Sequence, residues 1–585
     1  MSLDIARLIA FSALSATEVQ IGVASSNISN ADTAGYTRKT ANQVANVTGG
    51  VGTGVSITGI SSNVDQLLLK SLIESTSDLG AAGTTNSYMS ELQQLFGSIS
   101  SAGTSTKGTS LANTLASLET ALTSLASSPS SVSLQSAVVS ALGDVASQLR
   151  DTSSSIQTLR SNADQDIASS VTSINSDINQ IADLNLQIKR MAAAGQSTAD
   201  LEDERNSALQ DLSSYMNVSY YTASNGDVQV YSSSGQALVD SSAHTLSYTA
   251  SSNVTASTSY SSGGFSGITV GGVDITSQIT SGKIGALITL RDKTLPAEQT
   301  QLDQLATQLK SALNSVSNGA SAVPAPTSLT GTATVSGSTA LAATGTVRIA
   351  VTDQGGKLVS YQDLNLSSYS TVGDLVTALN GISGVSASVD ANGHLSISST
   401  NSADGVAIND MSSSVSGVGF SDYFGMNDLV TGTGASNFAV RSNFLTGAEA
   451  LPTDTLDGSA TLTAGSEVLT PGSATIINSF YKALTGSTNF ASAGGLTATT
   501  GSFADYASAI VANVASKASQ ASSAYTAKST AQSTYANSLS SEAGVNIDEE
   551  TARISALQNK YAAASQLLST VNAMFSSLVS AMQST

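Results

Sequence analysis

The sequence predicts a multidomain α+β fold: terminal helices paired as a coiled coil, a helical-bundle domain, and inserted β-rich outer domains. Three patterns carry this expectation. Apolar residues recur every seven positions at both chain ends, stripes spaced alternately by three and four fill much of the interior, and the centre changes to period two with Gly-rich turns. At 585 residues the chain is too long for one core.

From the start, Leu14, Ile21 and Ile28 fall one heptad apart, with Leu3, Ala10, Ala24 and Ala31 on their face. The stretch SNISNADTAGYTR then ends the helix. Asn27, Ser29, Asn30 and Asp32 bond readily to nearby backbone, Gly35 permits a sharp turn, and Tyr36 leads into extended chain through Val44. Leu111, Leu115, Leu118, Leu122 and Leu125 form a short helical stripe. Ile167, Val171, Ile174, Ile178, Ile181 and Ile188 form a longer one within Asp164 to Arg190, interrupted by Asn185, a polar seam residue of the kind that sets register.

From about Tyr215 to Gln278 alternation as in NGDVQVYSSSGQALVD favours strands. Leu302, Leu305, Leu309, Leu313 and Val316 return to helix. Gly319 to Gly337, with Pro324 and Pro326, reads as a linker into a separate unit, where GTVRIAV, TVGDLVTALNGI and VSASVDANGHLSISS read as strand, helix and hairpin. The last helix is expected to start at Asn546, as cap, with Glu549 reaching back in a capping box. Asp548, Glu549 and Glu550 suit the helix dipole. Ile547, Ile554, Tyr561, Leu568, Phe575 and Met582 hold one heptad position, and Leu557, Ala564, Val571 and Leu578 the position three later, with Glu550 the exception.

These segments divide the chain into residues 1–45 with 541–585 as a terminal coiled-coil domain; 46–215, 279–320 and 436–540 as a mainly helical middle; 216–278 as a β-rich hairpin region; and 321–435 as an inserted outer β-rich domain.

Composition excludes several functions. A net charge of −20 without a Lys/Arg cluster disfavours nucleic acid and anionic membrane. The absence of cysteine excludes disulfides, thiolate metal sites and cysteine nucleophiles. Leu8 to Ala16 could mimic a cleaved leader, but Asp4 offsets Arg7 and the helical period runs on past the small residues. No stretch is expected to reach the length of a membrane span. His244 and His394 lie in strand or turn contexts and form no metal pair. No Gly-x-Ser-x-Gly, Walker loop or Gly-x-Gly-x-x-Gly occurs. Glu202, Asp203 and Glu204 beside Arg205 read as an ion-paired helix face. An enzyme, a cofactor and a metal centre are therefore not expected.

SSNISNADTAGYTRKT resembles the N-terminal motif of the axial proteins of the bacterial flagellum, with Asn27, Asn30, Gly35, Tyr36 and Arg38 as its motif residues. GTGVSITGISSNVDQLLLKSLIES, INSDINQIADLNLQIKR with DLEDERNSALQDLSSYMNVS, ITSGKIGALITLRDKTLP, FSDYFGMNDLV with FAVRSNFL, and EAGVNIDEETARISALQNKYAAASQLLSTVNAMFSSLV resemble, in order, segments of the members that join hook to filament. The segment around Arg291-Asp292 and the NLQIKR/LEDERN pair carry the resemblance to these junction members, while Gly345 to Ile408 matches no family motif.

The resemblance implies a structural subunit located outside the cell in the flagellum and exported by the flagellar type III apparatus without a cleaved signal peptide. It implies self-association in a helical lattice or ring, and contact with hook protein, with a second junction protein or filament subunits, and with an export chaperone. Leu14, Ile21, Ile28, Ile547, Ile554, Leu557, Tyr561, Leu568, Val571, Phe575 and Leu578 would form the assembly interface of the terminal coil. Hook or distal-rod protein is the alternative within the family, and a secreted adhesin or surface-layer protein the alternative outside it.

Overall fold

The computed structural model describes residues 3–97 and 109–583. Its first helix, α1 (Leu3–Ser29), lies along the last, α13 (Ile547–Gln583). The C-terminal end of α1 meets the first turn of α13 through Asn27 and Glu550, so the two run antiparallel. Helix α1 is long and apolar enough to cross a membrane, which corrects the expectation that no stretch reaches that length. Its only charges are Asp4, Arg7 and Glu18, and Ala, Ile, Leu and Val dominate the rest.

Between α1 and the helical body stands a hairpin of β1 (Lys39–Thr48) and β2 (Val51–Ser62). Its two-residue turn is Gly49-Gly50, with φ of +59° and +82°, the left-handed backbone that a tight hairpin turn needs at both positions. Residues 46–62 therefore belong to a ribbon packed beside α1 rather than to the helical middle.

The body contains α2 (Gln66–Phe96), α3 (Leu111–Ser127), α4 (Val132–Ala193), α5 (Ala199–Tyr215), α6 (Gly282–Thr289) and α7 (Leu295–Asn318). The stripes of α3, α4 and α7 enter one continuous core. Helix α4 is a single rod of 62 residues, where sequence spacing marks only Asp164 to Arg190. Its earlier half hides Val138, Leu142, Val145, Leu149, Ile156 and Leu159 among serines, and all are buried.

Two small antiparallel sheets cap this core, one made of β3 (Val218–Thr222), β4 (Val228–Ser232) and β5 (Ala237–Val239). Asparagines on helices tie strands and loops to the helical body. Asn185 donates to Val228 O (2.8 Å) and accepts from Val228 N (3.0 Å). Asn175 does the same with Leu246, and Asn314 with Val430. Each amide satisfies a backbone donor and acceptor that burial would otherwise leave orphaned. Asn185 thus fixes a strand, not the register of a helix pair.

A buried ionic centre lies behind α6. Five residues, Leu290–Thr294, widen into a π turn between α6 and α7. This places the fully buried Arg291 against Asp292 through two bonds (2.9 and 2.8 Å), Asp164 (2.7 Å), the Tyr248 hydroxyl (2.7 Å) and the Phe265 ring. Burial pushes the Tyr248 hydroxyl above its ordinary pKa. Arg160, also buried, donates Nε to Arg291 O (2.9 Å).

The outer unit has its own core. The expected strand, helix and hairpin lie at Thr346–Thr352, α8 (Val372–Leu379) and Val385–Val389 with His394–Ser399. Two three-stranded sheets result, one with Thr346–Thr352 central and one with His394–Ser399 central. Short helices α9 (Phe420–Phe424) and α10 (Ser442–Leu445) follow. Residues 454–469, assigned from sequence to the helical segment 436–540, instead lie on the outer unit: Arg348 donates to Asp457 O and Ser459 O, and Lys357 bridges to Glu467. The chain then returns to the body through α11 (Thr475–Thr485) and α12 (Phe503–Ala543).

One carboxyl of the body titrates near neutrality. Asp177 on α4 leaves Oδ2 without a hydrogen bond, and burial, then Asp211 on α5, pushes its pKa from 3.8 up to about 6. The folded state holds this proton more tightly than the unfolded chain. Stability is therefore fully present below pH 3.8 and lost as pH rises through 6. Asp177→Asn is expected to stabilise by about 1 kcal/mol at pH 7, once the shift is discounted for partial exposure, and by nothing at pH 4. Denaturant melts at the two pH values check this, and an equal effect at both contradicts it.

Candidate functional site

The segment that ends α1 reaches a corner shared by α1, β1, α5 and the turn from α12 into α13. Asn30 bonds Ser26 O (3.0 Å) and closes the helix. Gly35 turns the chain at φ +76°, where an added Cβ would approach Ser207 Oγ on α5 to 3.3 Å. A side chain there meets both backbone strain and α5.

From Tyr36 the chain is extended, so successive side chains point to opposite sides. Thr37 and Lys39 turn toward α5. Asp203 accepts from Thr37 N (2.9 Å), Thr37 Oγ1 (2.6 Å) and Lys39 Nζ, and Lys39 also lies 3.3 Å from Asp200. Arg38 turns to α13, where Nε meets Glu550 Oε1 at 2.6 Å, and its backbone N–H donates to Ala543 O (2.7 Å). Asn27 donates to Lys39 O (3.0 Å) and Glu550 Oε2 (3.2 Å), and accepts from Lys39 N (2.9 Å) and the Tyr36 hydroxyl (3.1 Å). The Tyr36 ring covers Lys39 Nζ at 3.7 Å.

Of the five motif residues, Asn27, Tyr36 and Arg38 converge here, while Asn30 and Gly35 shape the chain that brings them together. Sequence reasoning missed Thr37, Lys39, Asp203 and Glu550. Glu550 interrupts an apolar column yet is fully buried; an acid in such a place was the available signal. Asn546 Oδ1 caps α13 by accepting from Asp548 N and Glu549 N (3.0 and 3.2 Å). The expected return bond from the Glu549 side chain to Asn546 N is not formed, so the cap is one-sided, and Glu550 is engaged with Asn27 and Arg38. The reading of Glu202 to Arg205 as an ion-paired surface is also corrected. Asp203 is taken by Thr37 and Lys39, while buried Arg205 bonds Asn185 Oδ1 (3.0 Å) and Gly226 O (2.9 Å).

Along the terminal helices, the inward column of α13 is Glu550, Leu557 and Val571, and that of α1 is Ala10, Thr17 and Ala24. Leu14, Ile21, Ile28, Ile554 and Leu568 are half-buried at the edges. Ile547, Tyr561, Phe575 and Leu578 face outward, each 42–50% exposed. The expected interface residues therefore split between the contact of α1 with α13 and an uncovered apolar surface.

Neither histidine is part of a constellation. His244 and His394 each sit four residues after an aspartate, Asp240 and Asp390. Among the described residues no group of three metal-ligating side chains occurs.

Comparison with known proteins matches residues 8–37 to the flagella basal body rod protein family. Residues 81–323 match the helical domain of flagellar hook-associated protein FlgK, and residues 346–401 match the flagellin hook IN motif. The last lies where no family motif was legible in the sequence. Flagellar hook-associated protein 1 of Escherichia coli (strain K12) is 26% identical over 97% of this chain and 98% of its own length. That of Salmonella typhimurium is 26% identical over 52% of this chain, and the match spans 55% of the relative's length. The solved flagellar hook junction protein FlgK from Burkholderia pseudomallei superposes with a TM-score of 0.46 at 17% identity, covering 80% of this chain and 98% of that one. A rod-type motif precedes a hook-associated helical domain, and the Escherichia coli relative aligns with this chain over nearly the whole length of both: the chain is similar to flagellar hook-associated proteins from end to end.

Proposed function

We propose that this chain is a structural, non-enzymatic subunit of the junction between hook and filament, exported by the flagellar type III apparatus and added at the distal end of the hook. The observation that carries the reading is where charge is missing. Residues 1–62 hold Asp4, Glu18 and Asp32 against Arg7, Arg38 and Lys39, and residues 561–585 hold no charged side chain, in a chain of net charge −20. Copies so acidic repel one another through their bodies. The terminal helices present uncharged apolar faces, including Phe11, Tyr561, Phe575 and Leu578, on which close contact between copies costs no such repulsion.

Those faces suit self-association in a helical lattice or ring, with the ends wound as a coiled coil inside and the outer unit projecting outward. Hook protein would lie on one side, and a second junction protein or filament subunits on the other. An export chaperone would hold the apolar helices before assembly. No cofactor or nucleic acid enters this reading. Electron microscopy of cells lacking the chain tests it: hooks without filaments are expected, and normal filaments overturn it.

A further inference from the structure

We propose that Asp203 is a positioning residue that makes segment Thr37–Lys39 a two-sided joint, setting the orientation of the terminal helices relative to the helical body. The inference rests on the junction reading for its importance to the cell, but its geometry stands independently.

Four neighbouring residues divide their bonds between two separate bodies. Thr37 and Lys39 are held by Asp203 of α5, a helix of the body. Arg38 and Asn27 are held by Glu550 in the first turn of α13. Rotation of the terminal helices about this strand breaks one set or the other. Ser197 Oγ also donates to Ile60 O (3.3 Å), so the return strand of the hairpin is tied to the start of α5 as well.

The chemistry favours positioning over bulk stability. Lys39, Asp203 and Glu550 are almost wholly buried. A buried ion pair contributes little net stability compared with well-packed apolar residues of the same volume, but it accepts few alternative arrangements. Three donors converge on the two oxygens of Asp203, with Tyr36 stacked over the ammonium, so a shift of the strand by one residue would break all three bonds and turn Arg38 from Glu550 toward α5, leaving Glu550 buried without its cation. Asp200, largely exposed and 3.3 Å from Lys39, is an auxiliary.

Cleavage of the full chain by trypsin after Arg38 or Lys39 reads the joint directly. Asp203→Ala removes the acceptor for all three donors. Cleavage there is expected to quicken by about tenfold or more, because the segment then opens locally without global unfolding. Asp203→Asn keeps acceptance from Thr37 N but loses the charge pair, and Lys39→Met keeps the stem but loses the ammonium together with the cleavage site after it, so the variants are compared by cleavage after Arg38 alone. Both are expected to fall between wild type and Asp203→Ala, and Asp200→Asn to match wild type. The melting temperature of the body is expected to be unchanged throughout. In cells lacking the native chain, Asp203→Ala is expected to be secreted normally but to leave filaments that shear off more readily. Unchanged trypsin cleavage in Asp203→Ala overturns the joint, as does quickened cleavage that only tracks a fallen melting temperature. Quickened cleavage with normal filament retention keeps the joint but removes its role in the junction. Failure of the native chain itself to restore filaments would count against the junction reading alone.

Discussion

Arg291→Ala is expected to destabilise the helical body by roughly 3–5 kcal/mol and to lower its melting temperature by about 10 °C. The guanidinium is fully buried and satisfies Asp164, Asp292 and the Tyr248 hydroxyl together. Its removal leaves Asp164 buried without its cationic partner, still accepting from Tyr248 and from Ser251 N. It also removes the cation packed on Phe265. Losing one member of such a centre costs far more than the centre contributes net, because the remaining charge has lost its compensation. Asp164→Asn on the Arg291→Ala background should recover part of the loss, since the uncompensated charge disappears. Calorimetry of the three proteins checks this. A fall of less than about 2 °C in Arg291→Ala would mean that solvent reaches the site and screens it.

Leu568→Asp is expected to abolish filament attachment while leaving the isolated chain folded. Leu568 lies half-covered at the edge of the contact between α13 and α1, one heptad from the exposed Tyr561 and Phe575. In a single chain a carboxylate there can still reach water, so the melting temperature should move little. Against a neighbouring copy it would be enclosed without a partner, at a cost of several kcal/mol per subunit. That cost repeats around the assembly. Gln566→Asp, at an exposed position, is the control. Filament counts on cells lacking the native chain, together with melting of both purified variants, decide the matter. The interface reading fails if Leu568→Asp supports filaments as well as Gln566→Asp does, or if it unfolds the body.

The stripes of α3, α4 and α7 and the strand, helix and hairpin of the outer unit were legible because they are local: a period of 3.6 or 2 declares which face turns inward wherever any partner exists. The cap at Asn546 was legible for the same reason, since its bonds reach only two and three residues ahead. The stop after α1 was also legible as chemistry, from side chains that compete with helical backbone. These features the residues determine by themselves, with no knowledge of what lies opposite.

What only the tertiary structure decided are the relations between distant residues. Two apolar columns run along α13, and the one that turns to α1 carries Glu550, because Asn27 and Arg38, more than 500 residues earlier, supply its bonds. Asp203 looked like one acid in a charged helix face until Thr37 and Lys39 were placed against it. Arg205 left its acidic neighbours for Asn185 and a loop carbonyl. Residues 454–469, without strong periodicity, joined the outer sheet through backbone acceptors for Arg348. Periodicity reports which residues avoid water, whereas the partner of a buried charge is set by whichever opposite group the fold brings within bonding distance, and that distance is not written in sequence separation.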